Sequence, residues 1–307
     1  MTERTGLGVL EVAALRAIEA AGGGAEPVQS LQVLEDLERD GFGRAYMYLV
    51  LQDLVVPWQV QLPLVEGQGN FGSPGNDPAA EPQYTEVGLS RLGRLALAAE
   101  EGRSGPLPIR LIEGNAYCGG SVPPFAPRAV VRALDRLLDL GDAIPDTELD
   151  ELVGPPALPT GGVVHGDIAA LLRGEPTPVE MSCRIEHGAI GEARTLEIVG
   201  FPLRGNPDEI LDGIATRIPH AGSRRGGGQE FASNVQDHSS GRHGTRIVVA
   251  LREGVDIQAA EAWLRSVWPV TVEVDWRLPA PMPDRLRTAA AAIRPDPSAY
   301  AELRSSL

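Results

Sequence analysis

The sequence predicts an α+β fold, with helices at the front of the chain and strands concentrated behind them. Three observations predict it. Up to about residue 56, apolar residues recur at helical spacing between glycine stops. From residue 179 onward, runs rich in Val, Ile and Thr alternate with helix-period segments in the order β, β, α, β, α, β, which implies a mixed or antiparallel sheet. Between these regions, residues 61–90 are dense in Gly, Pro and Asn and carry no sustained periodicity.

The first helix is read from Leu10, Ala13, Ala14, Ala17, Ile18 and Ala21, with Gly22, Gly23 and Gly24 as its stop. Ser30 caps a second helix carrying Leu31, Leu34 and Leu37, ended by Gly41, and a third runs from about Arg44 to Val55 before Pro57. A strand is expected over QVQLPLV, residues 59–65, followed by a glycine-rich hairpin. Three short helices, a strand and such a hairpin resemble a winged-helix arrangement, which serves DNA binding and protein contact alike.

Farther on, Pro127 opens a helix with Val130, Leu134, Leu137 and Leu138 on one face, closed by Gly141. VEMSCRIE and RTLEIVGF read as strands. Asn206 caps a helix with Pro207 first and Asp208 and Glu209 in its opening turn, where carboxylates complement the helix dipole. AGSRRGGGQE reads as a loop, TRIVVAL as a strand, IQAAEAWLRSVW as a helix and VTVEVDW as a strand. The last thirty or so residues read as one helix and a frayed tail. At 307 residues the chain exceeds one minimal core, and the boundaries fall as 1–107, 108–278 and 279–307.

Composition excludes several chemistries. All 27 basic residues are arginine, so no lysine can form a Schiff base or act as a base. A net charge of −15 repels polyanions at long range, and nucleic-acid binding then requires a local arginine-lined surface. Cys118 and Cys183 are too few for a zinc cluster or a disulfide framework, and His165, His187, His220 and His243 lack ligand spacing. Asp237, His238, Ser239 and Ser240 have the residue types of a hydrolytic triad but read as a polar turn. No signal-like start and no long apolar run is present, so a cytoplasmic protein without a membrane partner is expected.

The segment from Gln61 to Ser90 holds five glycines and leads to one phenol, Tyr84. Its run PLVEGQGNFGS, then DPAA and Tyr84-Thr85-Glu86, resembles the cleavage subunit of type IIA DNA topoisomerases, the gyrase A and topoisomerase IV A family. EGNAYCGGSVPPFAP, GPPALPTGG, RTLEIVGFPLRGNPDEILDGIATRI and DHSSGRHGTRIVVAL continue the resemblance in order, from about Leu10 to about Leu278.

The resemblance implies a winged-helix DNA-gate domain over residues 1–107 and a tower-like α+β domain over 108–278. It also implies a chain without the family's coiled coil, exit gate and DNA-wrapping domain. Tyr84 takes the place of the nucleophile that forms a transient 5′-phosphotyrosyl link in an ATP-dependent change of DNA topology. Arg39, Arg44, Gln83, Asn70 and Val122 become the residues that face DNA, Val122 as an apolar wedge between base pairs. Mg²⁺ and ATP are expected on a separate ATPase/TOPRIM subunit, with none bound by this chain. The expected partners are double-stranded DNA, that gyrase B-like chain and a second copy through the winged-helix domain, in a nucleoid-associated setting.

Departures from the family pattern bear on activity. A phenol titrates near ~10, so it needs positive charge and a base nearby to attack phosphate. Gln83 stands where the family has arginine, and Asp40-Gly41-Phe42-Gly43 stands where it has His-Pro-His-Gly. Arg39 and Arg44 flank that gap as compensating cations. Ala45 and Leu49 occupy the positions through which quinolones are bridged, and neither side chain can hold a metal-bound water. A relative that binds DNA or a topoisomerase-like partner without cutting is the alternative that these departures leave open.

Overall fold

The computed structural model describes residues 4–116, 119–191, 193–218, 231–240, 244–267 and 271–307. Helices α1 (Val9–Ala20), α2 (Ser30–Arg39) and α3 (Arg44–Val55) bury one stripe each, through Leu15 and Ile18, Val33, Leu34 and Leu37, and Met47, Leu51 and Leu54. These stripes meet in one core, as the helical periodicity requires. The expected stops hold. The chain leaves α2 through Gly41 at φ +93°, with Phe42 N–H donating to Leu37 O at 3.0 Å, a left-handed cap that a side chain would strain.

The strand expected over residues 59–65 forms later. Gln59 and Val60 donate back to Val56 O at 3.1 and 3.4 Å, so this stretch is a turn, and Pro63 has no N–H to offer a ladder. Strand β2 is Val65–Gln68. It pairs antiparallel with β3 (Glu86–Leu89), which also pairs with the two-residue β1 (Val28–Gln29), so β3 is central in a three-stranded sheet. Helix α4 (Arg91–Glu100) follows at once, its Ser90 cap accepting from Gly93 N–H at 2.9 Å. Gly93 lies directly against the Leu64 carbonyl, where a Cβ would overlap it.

The same core continues through α5 (Ile109–Glu113), α6 (Pro127–Leu140) and α7 (Asp146–Val153). Helix α6 begins at Pro127 and stops at Gly141, as its sequence specifies. Beyond it lie β4 (Val163–Gly166), α8 (Ile168–Leu172), β5 (Thr177–Ser182), β6 (Arg184–Ile190), β7 (Ala193–Gly200), α9 (Pro207–Ala215), β8 (Ala232–Asp237), β9 (Ile247–Leu251), α10 (Ile257–Val267) and β10 (Thr271–Trp276). VEMSCRIE, expected as one strand, divides at Cys183. Its first half joins the β10-β5-β4 sheet and its second half the β6-β7-β9-β8 sheet. All pairings between the named strands are antiparallel, consistent with an α+β fold. The four-stranded sheet packs Leu196, Ile198, Ile247 and Val249 against Ile210 and Ile214 of α9 and Leu264 of α10.

The C-terminal segment differs from its expectation. Helix α11 (Met282–Ile293) is followed by a second helix, α12 (Ser298–Ser306), in place of a frayed tail. Both pack into the front core, through Leu286, Ala290 and Ile293 and through Ala299, Tyr300 and Leu303. Tyr300 Oη donates to Val131 O at 3.1 Å and to Asp135 Oδ1 at 3.0 Å on α6. Three buried residues within five positions are too few to read as a core stripe in sequence, yet they suffice once α6 supplies the facing groove. Among the described residues, no helix is long and apolar enough to cross a membrane.

Leu303 is fully buried although it lies in the last turn or so of the residues described. Leu303→Ala is expected to lower the unfolding free energy by about 2–4 kcal/mol. Urea titration checks this, and a loss below about 0.5 kcal/mol would show that α12 is not part of the core.

Candidate functional site around Tyr84

Tyr84 ends a short 3-10 turn, Pro82–Tyr84, immediately before the central strand β3. Pro82 starts this turn with its φ already set, and Tyr84 N–H donates to Glu81 O at 2.8 Å. The side chain is 70% exposed, while Thr85 beside it is fully buried. Strand alternation thus sends successive side chains to opposite faces, the phenol outward and the hydroxyl inward.

Thr85 fastens the turn to two helices. Its Oγ1 donates to Ser30 Oγ at 2.8 Å, and its carbonyl accepts from Ser30 N–H at 2.9 Å, both at the start of α2. The Tyr48 hydroxyl on α3 donates to Ala80 O at 2.6 Å and lies 3.2 Å from Thr85 Oγ1. Gly69, at φ +100°, passes so close that a Cβ would sit 2.7 Å from the Tyr84 carbonyl oxygen. Here a glycine is required on both counts.

The loop between β2 and the turn is folded on itself. Ala80 N–H donates to Asn70 O at 2.9 Å, Gly72 N–H to Asn70 Oδ1 at 2.8 Å, and Ser73 N–H to Asp77 O at 3.1 Å. Its tip reaches the strand-rich half of the molecule. Asn76 N–H donates to Asp208 Oδ2 at 2.7 Å, and Asn206 Nδ2 donates to Asn76 Oδ1 at 2.8 Å, at the N-terminus of α9. At its base, Glu113 accepts from the backbone N–H groups of Gln61 and Leu62 at 3.1 and 2.6 Å. Burial pushes the Glu113 carboxyl up to about 7, against the lowering effect of those two N–H groups and of Arg110.

The other residues singled out from sequence occupy varied settings. Gln83 is exposed beside Tyr84. The Asn70 side chain serves the loop, accepting from Gly72 and lying 3.5 Å from Pro78 O. Arg44 opens α3, one turn before Tyr48, so the two lie about 6 Å apart along the helix axis. Its guanidinium is held by Glu38, with Nε donating to Oε2 at 3.1 Å. Arg39 closes α2, about 13 Å along the axis from Ser30, and pairs with Asp36. Val122 is half-buried in a tight hairpin, its carbonyl accepting from Asn115 and Ala116 N–H at 2.8 and 2.9 Å. The structure therefore gathers Tyr84, Gln83, Asn70 and the start of α3 around one loop, with Val122 in a separate hairpin.

Sequence reading missed Tyr48 and Ser30 as supports of the turn, and no local signal marks either, because both act across distant chain segments. Asp36 and Glu38 were missed as partners of the arginines, although the three-residue spacing of Asp36 and Arg39 on one helix face announces the first pair. Cys183 is a free, buried thiol pushed up to about 12 by burial, which leaves it inert. His165 lies 2.8 Å from Ser182 Oγ, and His187 2.8 Å from Glu261 Oε2. Ser239 N–H donates to Asp237 Oδ1 at 2.7 Å in the turn after β8. Cys118, His220, His243, Arg224 and Arg225 lie outside the described residues.

No protein-family model matches the chain. Similar curated proteins are named as gyrase A chains of bacterial DNA gyrase. That of Streptomyces coelicolor is 31% identical over 237 residues, which cover 68% of this chain and 27% of the relative. That of Mycobacterium bovis is 31% identical over 240 residues, 68% of this chain and 28% of the relative. That of Granulibacter bethesdensis is 26% identical over 238 residues, 68% of this chain and 24% of the relative. The chain thus spans about a quarter of the length of the curated relatives it matches.

Thr85→Val keeps the shape of the side chain and strands the Ser30 and Tyr48 hydroxyls. It is expected to cost about 1–3 kcal/mol and to increase protease nicking near residue 84, measured by urea titration and limited proteolysis. Unchanged values in both would remove the hydroxyl network as the anchor. Native Glu113 keeps its proton up to about pH 7, whereas in the unfolded chain it releases it near 4.5. The native state binds more protons in that window, so stability falls as pH rises from about 4.5 to about 7. Glu113→Gln should flatten this part of the stability profile by on the order of 3 kcal/mol, and an unaltered profile would refute the assignment.

Proposed function

We propose that this gyrase A-like chain is a DNA-gate protein of the type IIA topoisomerase family, in which Tyr84 forms a transient 5′-phosphotyrosyl link with DNA. In this reading α1 to α3 with the β1-β3-β2 sheet are a winged-helix module, and the two later sheets are tower-like. The observation that carries it is the presentation of Tyr84. A 70% exposed phenol stands on a backbone pinned by Thr85, Ser30 and Gly69, at the end of the loop whose sequence resembles the family's. A nucleophile that must meet a phosphodiester in line needs both exposure and a fixed origin.

The step is a transesterification. The phenolic oxygen bonds to phosphorus as the bond to the 3′ oxygen breaks, the phenol proton leaves, and the 3′ hydroxyl forms. Resealing is the reverse. The uncapped N-terminus of α3, one turn from Tyr48, offers backbone N–H groups to a phosphate. Among the described residues, no group of three or more His, Cys, Asp and Glu side chains is placed to hold a metal ion. Mg²⁺ and ATP are accordingly assigned to a separate ATPase/TOPRIM subunit. Tyr46 and Leu49, 59% and 54% exposed on α3, favour contact with a second copy on the same face. The setting proposed is the cytoplasm, on the nucleoid.

A second reading is favoured by one observation: Arg39 and Arg44 are each held by a carboxylate, Asp36 and Glu38. Gln83 stands in place of an arginine, so both cations expected to assist the phenol are already occupied. In this reading the chain binds DNA or a topoisomerase-like partner without cutting it.

The two readings separate in one experiment. The protein is mixed with its ATPase/TOPRIM partner, supercoiled DNA, Mg²⁺ and ATP, then denatured with detergent. Protein-linked 5′ ends that vanish in Tyr84→Phe establish the cleaving reading. Gln83→Arg is expected to raise their yield by about 10- to 100-fold, the size of one restored transition-state contact. Salt-sensitive DNA binding with no linked ends, in the parent and in Gln83→Arg alike, establishes the second.

A further inference from the structure

A groove of about 620 Å³ lies between the first residues described, the start of α5 with the Val122 hairpin, and the outer side of α11. Its titratable lining is Arg4, Arg110, Asp284 and Arg285. Three of these have partners. Arg4 donates to the carbonyls of Ala99 and Ser104. Arg110 donates to Gly6 O at 3.0 Å and Gly114 O at 2.6 Å and pairs with Glu11. The Asp284 carboxylate lies 3.7 Å from Arg287, which also holds Asp146 at 2.6 Å.

Arg285 is different. Its guanidinium has no hydrogen bond or ion pair among the described residues, and its Nη1 is enclosed without an acceptor. Burial alone pushes it down to about 10. A guanidinium taken out of water with nothing to receive its N–H groups is costly to keep, and an oxyanion placed in the groove would resolve that cost. The planar fork suits two oxygens of one phosphoryl group. The first turn of α11 lies on the same wall with no side-chain cap, so its dipole adds to the same preference.

We propose that this groove is an oxyanion site in which Arg285 grips a phosphoryl group, supplied by a free phosphate compound or by nucleic-acid backbone passing beside Val122. The site stands on the guanidinium and the groove. Only the second source rests on the DNA-gate reading.

The test uses the full chain, Arg285→Met, Arg285→Lys, and Arg136→Met as a surface control. Arg136 pairs with Glu148 at 2.9 Å on α6, away from the groove. Circular dichroism verifies each fold. In the first arm, pyrophosphate replaces chloride at constant ionic strength while thermal unfolding is followed. A free-phosphate site gives saturable stabilisation that Arg285→Met abolishes and Arg285→Lys, with the charge but no fork, weakens by about tenfold. In the second arm, duplex affinity is measured from about 50 to about 300 mM salt, the range in which counterion release is read. A backbone contact gives Arg285→Met a log–log salt slope shallower by about 0.9, with Arg136→Met unchanged.

If the chain binds no duplex but the pyrophosphate effect is present and needs Arg285, the DNA-gate reading fails and the oxyanion site stands. If Arg285→Met matches the parent in both arms, the site is overturned. Should Arg285→Met fail to fold, Arg285→Lys decides, and parental affinity for both ligands in that variant overturns the fork.

Discussion

The placement of Tyr84 depends on the burial of its neighbour. Thr85 has no exposed surface, and its hydroxyl and carbonyl both bind Ser30 at the start of α2. Because β3 is central between β1 and β2, its register is set on both sides, with Val87 opposite Val28 and Gly67. A slip of one residue would turn Val87 and Leu89 outward and Thr85 with them, exposing apolar surface and breaking the hydroxyl network. The register that buries these three side chains is therefore the one that exposes the phenol. No separate interaction has to hold the tyrosine outward.

Electrostatics pulls against that presentation. The end of α2 carries Glu35, Asp36, Glu38 and Asp40 around Arg39, and Arg44 is drawn back onto Glu38. These pairs are exposed, so each contributes little to stability and can be exchanged for a phosphate at small cost. What the carboxylates change is the field, since a polyanion approaching the start of α3 meets them as well as the arginines. Scaffold and field thus point in different directions. The scaffold is shaped to offer a phenol, while the charges beside it favour weak or partner-assisted contact with DNA.

Legibility in the sequence followed the range of the determining interactions. Helices α6 and α9 start and stop where their prolines, Asn206 and Gly141 place them, because capping is settled within a few residues. The Asn206 side chain does accept from Asp208 and Glu209 N–H, at 3.0 and 3.4 Å. VEMSCRIE could not reveal its division, since both halves have strand chemistry and only distant partners decide that Ser182 pairs with β10 and β4 while Arg184 pairs with β7. The strand expected at residues 59–65 was displaced by a turn closed on Val56 and by Pro63. The candidate site was legible through its glycines and the motif around Tyr84. Its supports, Tyr48 and Ser30, were not, because a hydroxyl 36 or 54 residues away leaves no local trace.

The loop before Tyr84 is fixed at two places that belong to different parts of the fold. Its base lies on the helical core, through Gly69 against the Tyr84 carbonyl and Tyr48 against Ala80. Its tip lies on α9, where Asp208 accepts from Asn76 and passes so near Gly75 that a Cβ there would meet its carboxylate. Asp208 also sits in the first turn of α9, where its charge complements the helix dipole, so the same carboxylate is favoured in place twice over. A loop of this glycine content tethered only at its base would sample many conformations. With its tip docked on an element packed against the four-stranded sheet, its shape is set jointly by both halves of the molecule, and the glycines serve close approach at those two ends.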